Sequence, residues 1–236
     1  WISLKGQGAM SSSTGNTIGP LEALELVPPE ILRYLIASTK PKKAITFDAG
    51  MSLVELADEY ERLLARDIDS EMEDQSLSRR QKVALEDAEG ALRMSIIGEV
   101  ENTNVSFRHL AMLAQVKSDE EIFNSVGENV SDRLMRMKNW IRGPHFPEEL
   151  RIKVLDEPMN GLDSNIINHL RLSLTDSEWD PESIGNCISS CFKQNEISPR
   201  DGYRNLYLAI LGVEKGPRLA PILSELNKQR VLNLLD

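Results

Sequence analysis

The chain has 236 residues, 41% of them hydrophobic and 27% charged, a composition typical of a globular protein that excludes collagen-like, mucin-like and wholly disordered chains. Its 27 Lys and Arg residues against 37 Asp and Glu residues give a formal net charge of −10 at pH 7. This balance argues against a protein that coats nucleic acid or a membrane with its whole surface, but it allows a local basic patch. The sequence has no apolar run near the ~18 residues of a membrane span, and two cysteines cannot build a disulfide framework, so we expect a cytoplasmic protein of a reducing compartment.

The first part of the chain combines a polar segment, helices and one short strand. Residues 5–19 are rich in Gly, Ser and Thr and lack helical or strand periodicity, which predicts a mobile loop. Apolar residues recur three and four positions apart after Pro28 and again over residues 53–64, which predicts two helices. Residues 44–48 lie between these two segments and predict a short strand.

Most of the remaining chain has helical periodicity with clear helix boundaries. Ser118 and Glu121 have the spacing of a capping box. The pairs Asp-Pro at 180–181 and Ser-Pro at 198–199 each place an N-cap residue before a proline of the first helical turn. Gly216-Pro217 separates the last predicted helix from the one before it. Because helical periodicity extends over most of its length, the chain is predicted to have a mainly α fold.

The two cysteines are four residues apart on one predicted helix. Cys187 and Cys191 fall on an apolar stripe with Ile184, Ile188 and Phe192, and we therefore interpret them as core residues rather than metal ligands. The three histidines have no ligand partner at a metal-binding spacing. We expect no metal site in this chain.

A basic helix over residues 129–142 is the best candidate surface for RNA. Cations contact phosphates, and an exposed aromatic ring stacks on unpaired bases. Trp140 lies on this helix beside the apolar positions, so the pattern fits a stacking residue and a core residue equally well. The candidate RNA contacts, chosen on charge alone, are Arg133, Arg136, Lys138 and Arg142. A second, looser group of cations, interpreted as solvated helix faces, is Arg200, Arg204, Lys215 and Arg218.

The serine-rich loop admits two interpretations from its residues, a flexible linker or a set of hydroxyl and N–H groups that wraps phosphate oxygens. It resembles the second signature loop of class I aminoacyl-tRNA synthetases, the Lys-Met-Ser-Lys-Ser loop. The residues that carry this resemblance are Met10, Ser11, Ser12, Ser13, Thr14, Gly15 and Asn16. Ala9 and Ser12 stand where the family usually has its two lysines.

The segments that follow the loop are similar, in their order, to class I lysyl-tRNA synthetases of archaea and some bacteria. These segments are residues 20–24, 32–35, 40–43, 45–48 and 58–62. Residues 202–212 and 216–221 resemble the final helices of the anticodon-binding domain in lysyl and glutamyl class I enzymes. The resemblance thus extends over nearly the whole chain.

The resemblance implies a three-part organisation. Residues 1–19 would end a Rossmann catalytic domain and contribute the signature loop, which acts on ATP. Residues 20–100 would form a stem-contact region with the short strand, and residues 101–236 would form an α-helical anticodon-binding domain.

The function implied is that of the C-terminal portion of a lysine–tRNA ligase, which activates lysine with ATP and transfers it to tRNA(Lys). The partners would be tRNA(Lys), together with ATP, its Mg²⁺ and lysine bound through a catalytic half outside this chain. No catalytic residue is expected in the chain. We interpret the chain as part of a longer protein and expect the chain alone to be inactive. The alternatives are a non-enzymatic helical module that binds protein or RNA, and the equivalent part of a glutamyl-tRNA synthetase.

Overall fold

The computed structural model describes residues 2–4, 8–9, 18–98 and 105–236. The chain divides into two compact units, the first formed by Trp1–Ala111 with Phe123–Pro147, and the second by Met112–Ile122 with Glu148–Asp236. The described residues are mostly helical, which confirms the prediction of a mainly α fold. In these ranges no helix is both long enough and apolar enough to cross a lipid bilayer.

The helices of the first unit pack around its buried apolar residues, with α2 packed most extensively against α5. Pro20 and Pro29 each occupy the first turn of a helix, where the missing N–H costs no hydrogen bond. The helices before the first gap are α1 (Pro20–Leu26), α2 (Pro29–Ser38), α3 (Met51–Leu64), α4 (Ile68–Met72) and α5 (Arg79–Ser95). After residue 104 follow α6 (Phe107–Val116), α7 (Asp119–Val126) and α8 (Ser131–Arg142), of which α6 and α7 each contribute residues to both units.

A small sheet lies at the start of the first unit. It contains β1 (Ile2–Leu4), β2 (Gly8–Ala9) and β3 (Ile45–Phe47) in the order β2-β1-β3. β1 runs parallel to β3 and antiparallel to β2. The strand predicted at residues 44–48 is therefore confirmed, whereas the other two strands of the sheet were not predicted, and β2 lies inside the segment predicted as a loop.

Trp140 lies in the core of the first unit. Its side chain is 0% exposed, and its indole Nε1–H donates to the carbonyl oxygen of Ala49 at 2.6 Å. The ring centroids of Phe107 and Phe146 lie 5.5 and 4.8 Å from its own. Of the two interpretations of Trp140, the structure therefore selects the core residue, because an enclosed indole cannot stack on a base.

The second unit is a group of helices around one hydrophobic core. Its core joins residues of the five helices that close the chain, and Met112 and Val116 of α6 pack against it. Cys191 is buried in this core and Cys187 packs at its edge, as predicted. The five helices are α9 (Ser164–Thr175), α10 (Pro181–Gln194), α11 (Pro199–Leu211), α12 (Leu219–Glu225) and α13 (Lys228–Leu234).

Candidate nucleic-acid interface

The predicted signature loop lies outside the described residues. Its residues, 10–16, therefore remain an ATP-binding prediction. Among residues that the structure does describe, no group of three or more His, Cys, Asp or Glu side chains is arranged to hold a metal ion.

Arg133, the first of the predicted RNA contacts, is enclosed in the first unit. Its guanidinium Nη1 lies 2.8 Å from Oε1 of Glu61, and Nη2 lies 3.7 Å from Oε1 of Glu30. The other carboxylate oxygen of Glu61 accepts the backbone N–H of Phe107 at 3.0 Å. Only 11% of the Arg133 side chain is exposed. Its charge therefore joins α2, α3 and α8 and is poorly accessible to an RNA phosphate.

The carboxyl group of Glu61 shows how strongly this ion pair is enclosed. Burial raises the pKa of Glu61, while the Phe107 N–H and the Arg133 guanidinium act in the opposite direction. Burial is the largest of these influences and the neighbouring Asp58 carboxylate adds to it, as expected for a carboxyl group on a side chain that is only 18% exposed.

The other three predicted contacts on α8 lie in different surroundings. Arg136 forms two hydrogen bonds, of 2.8 and 3.1 Å, to the carboxylate of Asp132 one turn earlier. Lys138 is half-buried and Arg142 is exposed. With 3.6 residues per turn, Lys138 and Arg142 lie on the side of α8 opposite to Arg133. The structure therefore does not bring the four cations together on one open face.

The second unit has a groove between α10, α11 and the start of α12, with a volume of about 760 Å³. That volume is within the range of pockets that bind small molecules. Residues of all three helices line the groove, among them two tyrosines of α11. The groove is lined by Pro181, Glu182, Ile188, Tyr203, Tyr207, Arg218, Leu219, Ala220 and Pro221.

The two tyrosines are held firmly by their neighbours. The Tyr207 hydroxyl donates to the carbonyl oxygen of Pro217 at 2.6 Å and lies 3.1 Å from that of Gly216, so it ties the segment before α12 to α11. Burial raises the pKa of Tyr207, which keeps this hydroxyl protonated as a donor. Tyr203 packs edge-on against Phe192, with ring centroids 5.2 Å apart and an interplanar angle of 82°. Both rings are therefore fixed walls rather than mobile side chains.

The groove carries one cation and one carboxylate. Arg218 is exposed, and within the described ranges its guanidinium has no ion-pair partner. Glu182 is exposed on the α10 side. Arg204, on α11, is instead paired with Glu214. Rigid aromatic and apolar walls with one hydrogen-bond donor and one acceptor suit a planar heterocycle that presents both kinds of group, as an unstacked nucleobase does.

This groove was not predicted from the sequence. Tyr203 and Tyr207 lie in residues 202–212, which were identified by their resemblance to a final anticodon-domain helix, and Arg218 was interpreted as part of a solvated helix face. One feature of the sequence could have indicated the groove. A tyrosine among the apolar residues of a helix keeps a hydroxyl that must reach a partner or solvent, and this places the tyrosine at the edge of a core.

Comparison with known proteins gives one family. Residues 1–87 match the family model described as tRNA synthetases class I (K). The chain is 30% identical to the Lysine--tRNA ligase of Thermoplasma volcanium over 96% of this chain and 46% of that protein. Its identity to the corresponding proteins of Picrophilus torridus and Archaeoglobus fulgidus is 28% and 27%, each over 98% of this chain and over 46% and 45% of theirs. The chain thus spans about half the length of the curated relatives it matches.

Proposed function

Because the chain belongs to the class I lysyl-tRNA synthetase family, we propose that it is the tRNA-recognition portion of a lysine–tRNA ligase. That enzyme activates lysine with ATP and transfers it to tRNA(Lys). The observation that carries the recognition role is the groove of the second unit with its two fixed tyrosines and Arg218.

The anticodon is the part of a tRNA that such a groove fits. Anticodon bases lie in a single-stranded loop, where they unstack and offer their faces to aromatic rings. Stacking on an aromatic side chain contributes about 1–3 kcal/mol per base. Arg218 and Glu182 would add hydrogen bonds to the edge of that base, which supplies the discrimination that stacking lacks.

The ATP-dependent chemistry would be shared with residues outside this chain. Residues 10–16 would contribute contacts to the phosphates of ATP, with backbone N–H and hydroxyl groups in place of the lysines that Ala9 and Ser12 replace. We expect no lysine-dependent ATP–pyrophosphate exchange by the 236-residue chain alone. Exchange by the isolated chain would contradict the proposal that the reaction needs residues outside this chain. A role in protein synthesis also fits the cytoplasmic location expected from the sequence.

The proposal is tested by fluorescence anisotropy of labelled tRNA(Lys) with the 236-residue chain, beside the same tRNA with a replaced anticodon. We expect the anticodon change to weaken binding. Arg218→Ala should weaken binding to tRNA(Lys) and leave that to the altered tRNA nearly unchanged.

Arg200→Ala is the matched control, because it removes an exposed cation from the same unit outside the groove. It should leave the preference for tRNA(Lys) intact. Binding that ignores the anticodon would contradict the proposal, and absence of binding to either tRNA would favour the helical interaction module.

A further inference from the structure

The segment that leads into α9 contains the only Asn-Gly pair of the sequence, Asn160-Gly161. The two residues form a turn in the second unit, and both are exposed. Gly161 has a φ of +86°, a conformation that glycine adopts without strain, and a Cβ atom built on it would meet nothing within 4 Å. The peptide bond between the two residues is therefore open to solvent and is not shielded by a side chain.

The two groups of this turn that can react with each other are not held by a partner. Among the described residues, none accepts or donates a hydrogen bond to the Asn160 side-chain amide, and none accepts the Gly161 N–H. Asn205 differs in this respect, because its amide donates to the carbonyl oxygen of Asp201 at 3.0 Å. The Asn160 amide carbon and the Gly161 nitrogen are thus free to approach each other.

The turn lies between two fixed points of the second unit. Before the turn, the Leu155 N–H donates to the carbonyl oxygen of Ile210 at 2.9 Å. After the turn, the Asp163 N–H donates to Oδ1 of Asn205 at 2.9 Å, and the Asp163 carboxylate caps the start of α9. These contacts hold both ends of the segment without using the turn itself, so a chemical change within the turn leaves them in place.

We propose that Asn160 is a site of spontaneous deamidation that forms isoaspartate in the folded protein. The Gly161 nitrogen loses its proton to the solvent and attacks Cγ of Asn160, and the new N–Cγ bond closes a five-membered succinimide ring. The Cγ–Nδ2 bond breaks, and Nδ2 takes up a proton and leaves as ammonia. Water then opens the ring at Cγ, which gives aspartate, or at the main-chain carbonyl carbon of Asn160, which gives isoaspartate.

Asn124 is a comparison site within the same chain. It is also exposed, and a small residue, Ser125, follows it. Both lie on α7, where the Ser125 N–H belongs to the helical hydrogen-bond pattern and points along the helix axis. This N–H cannot turn toward the preceding side chain, and the Cβ atom of Ser125 crowds the path of attack. We therefore expect Asn124 to keep its amide under conditions in which Asn160 loses it.

The test incubates the folded 236-residue chain at 37 °C over a range of pH and follows the product with time. Each conversion replaces an NH₂ group by an ionised oxygen, so the product gains one negative charge and separates on anion exchange. Peptide mass mapping locates the change, and methyl transfer from S-adenosylmethionine by an isoaspartyl methyltransferase detects isoaspartate. Asn160→Gln keeps an exposed amide but cannot close the five-membered ring. Asn124→Gln is the matched control.

We expect the parent and Asn124→Gln to accumulate aspartate and isoaspartate at residue 160 at equal rates, and Asn160→Gln to lose the methylation signal of this peptide. The rate should rise about tenfold per pH unit, because the attacking nitrogen must first lose one proton. The Tm of the converted chain should stay within about 2 °C of the parent, since no contact of the described residues is broken.

Several results would overturn this inference. Aspartate without isoaspartate at residue 160 would indicate direct hydrolysis of the amide and exclude the succinimide. Conversion of Asn160 no faster than that of Asn124, or only after urea has unfolded the chain, would show that the turn does not promote the reaction. A converted chain with a much lower Tm would show that the fold does not tolerate the change. The proposed function is tested separately, because no RNA takes part in this experiment.

Discussion

Gly202 on α11 is expected to resist replacement by alanine, although alanine is the better helix former. A Cβ atom at this position would lie 2.3, 2.5 and 2.8 Å from three ring atoms of Phe192. Carbon atoms in contact are normally 3.5–4.0 Å apart. Phe192 is 3% exposed and its ring packs against Tyr203, so the ring cannot turn toward solvent to make room.

The size of the effect follows from two opposing contributions. In a helix interior, alanine stabilises by about 0.8–1 kcal/mol relative to glycine. Overpacking of a dense core costs about 1–3 kcal/mol, and contacts with three ring atoms that are each short by roughly 0.7–1.7 Å belong at the upper end of that range. We expect Gly202→Ala to lower the free energy of unfolding by about 1–2 kcal/mol. At ~2–4 °C for each kcal/mol in a chain of this length, Tm should fall by roughly 2–8 °C.

Gly185 on α10 provides a matched control in the same unit. A Cβ atom there would lie 3.8 Å from Cβ of Ala220, an ordinary van der Waals contact, and nothing else would be within 4 Å. Gly185→Ala should therefore keep the helix-forming gain and raise Tm by roughly 2–4 °C. Calorimetry, with urea unfolding followed by circular dichroism, measures both variants. If Gly202→Ala were as stable as the parent, or if both variants shifted Tm in the same direction, the packing argument would be wrong.

Two further predictions concern polar contacts inside each unit. Arg133→Met leaves the enclosed carboxylate of Glu61 without its cation and should cost about 2–4 kcal/mol at pH 7. A carboxyl whose pKa is raised on folding contributes stability below its unfolded pKa and loses it as pH rises through the folded value. Removal of Arg133 raises the pKa of Glu61 further, so the loss of unfolding free energy caused by Arg133→Met should shrink as pH falls toward 4. Urea unfolding at pH 4.5 and 7.5 measures this loss. The same loss at both pH values would contradict the prediction. Tyr207→Phe deprives the Pro217 carbonyl oxygen of its hydrogen-bond donor. It should lower the free energy of unfolding by about 1 kcal/mol and weaken binding to tRNA(Lys). An unchanged Tm and affinity would refute the role of the hydroxyl.

The features that the sequence predicted correctly are local ones. Asp180 accepts hydrogen bonds from the N–H groups of Glu182 and Ser183 at 2.9 Å, as its position before Pro181 predicts. Ser118 and Glu121 form the predicted capping box, in which each side chain bonds the backbone N–H of the other. Such motifs depend on residues within one helical turn, so their spacing alone carries the information.

The features that were not predicted from the sequence depend on partners far along the chain. Arg133 is 72 residues from Glu61, and nothing in the basic pattern of residues 129–142 indicates that this cation would face inward. β1 and β2 have three and two residues, too few to show a strand period, and their existence depends on pairing. The groove of the second unit arises only where three helices meet, while the spacing of apolar residues along α11 is the same with or without a groove.

The acidic balance of the chain is compatible with RNA binding once the carboxylates are located. Ion pairs such as Glu61 with Arg133, Asp132 with Arg136 and Glu225 with Lys117 take up carboxylates and cations in equal number, so they leave the acidic excess of ten unchanged, and the position of that excess on the surface decides its effect. A phosphate responds mainly to charges within a Debye length, about 8 Å at physiological salt, so acidic groups on distant surfaces are screened from it. The net charge counts all ionised groups equally, whereas binding depends on which of them stand unpaired at the surface that meets the RNA.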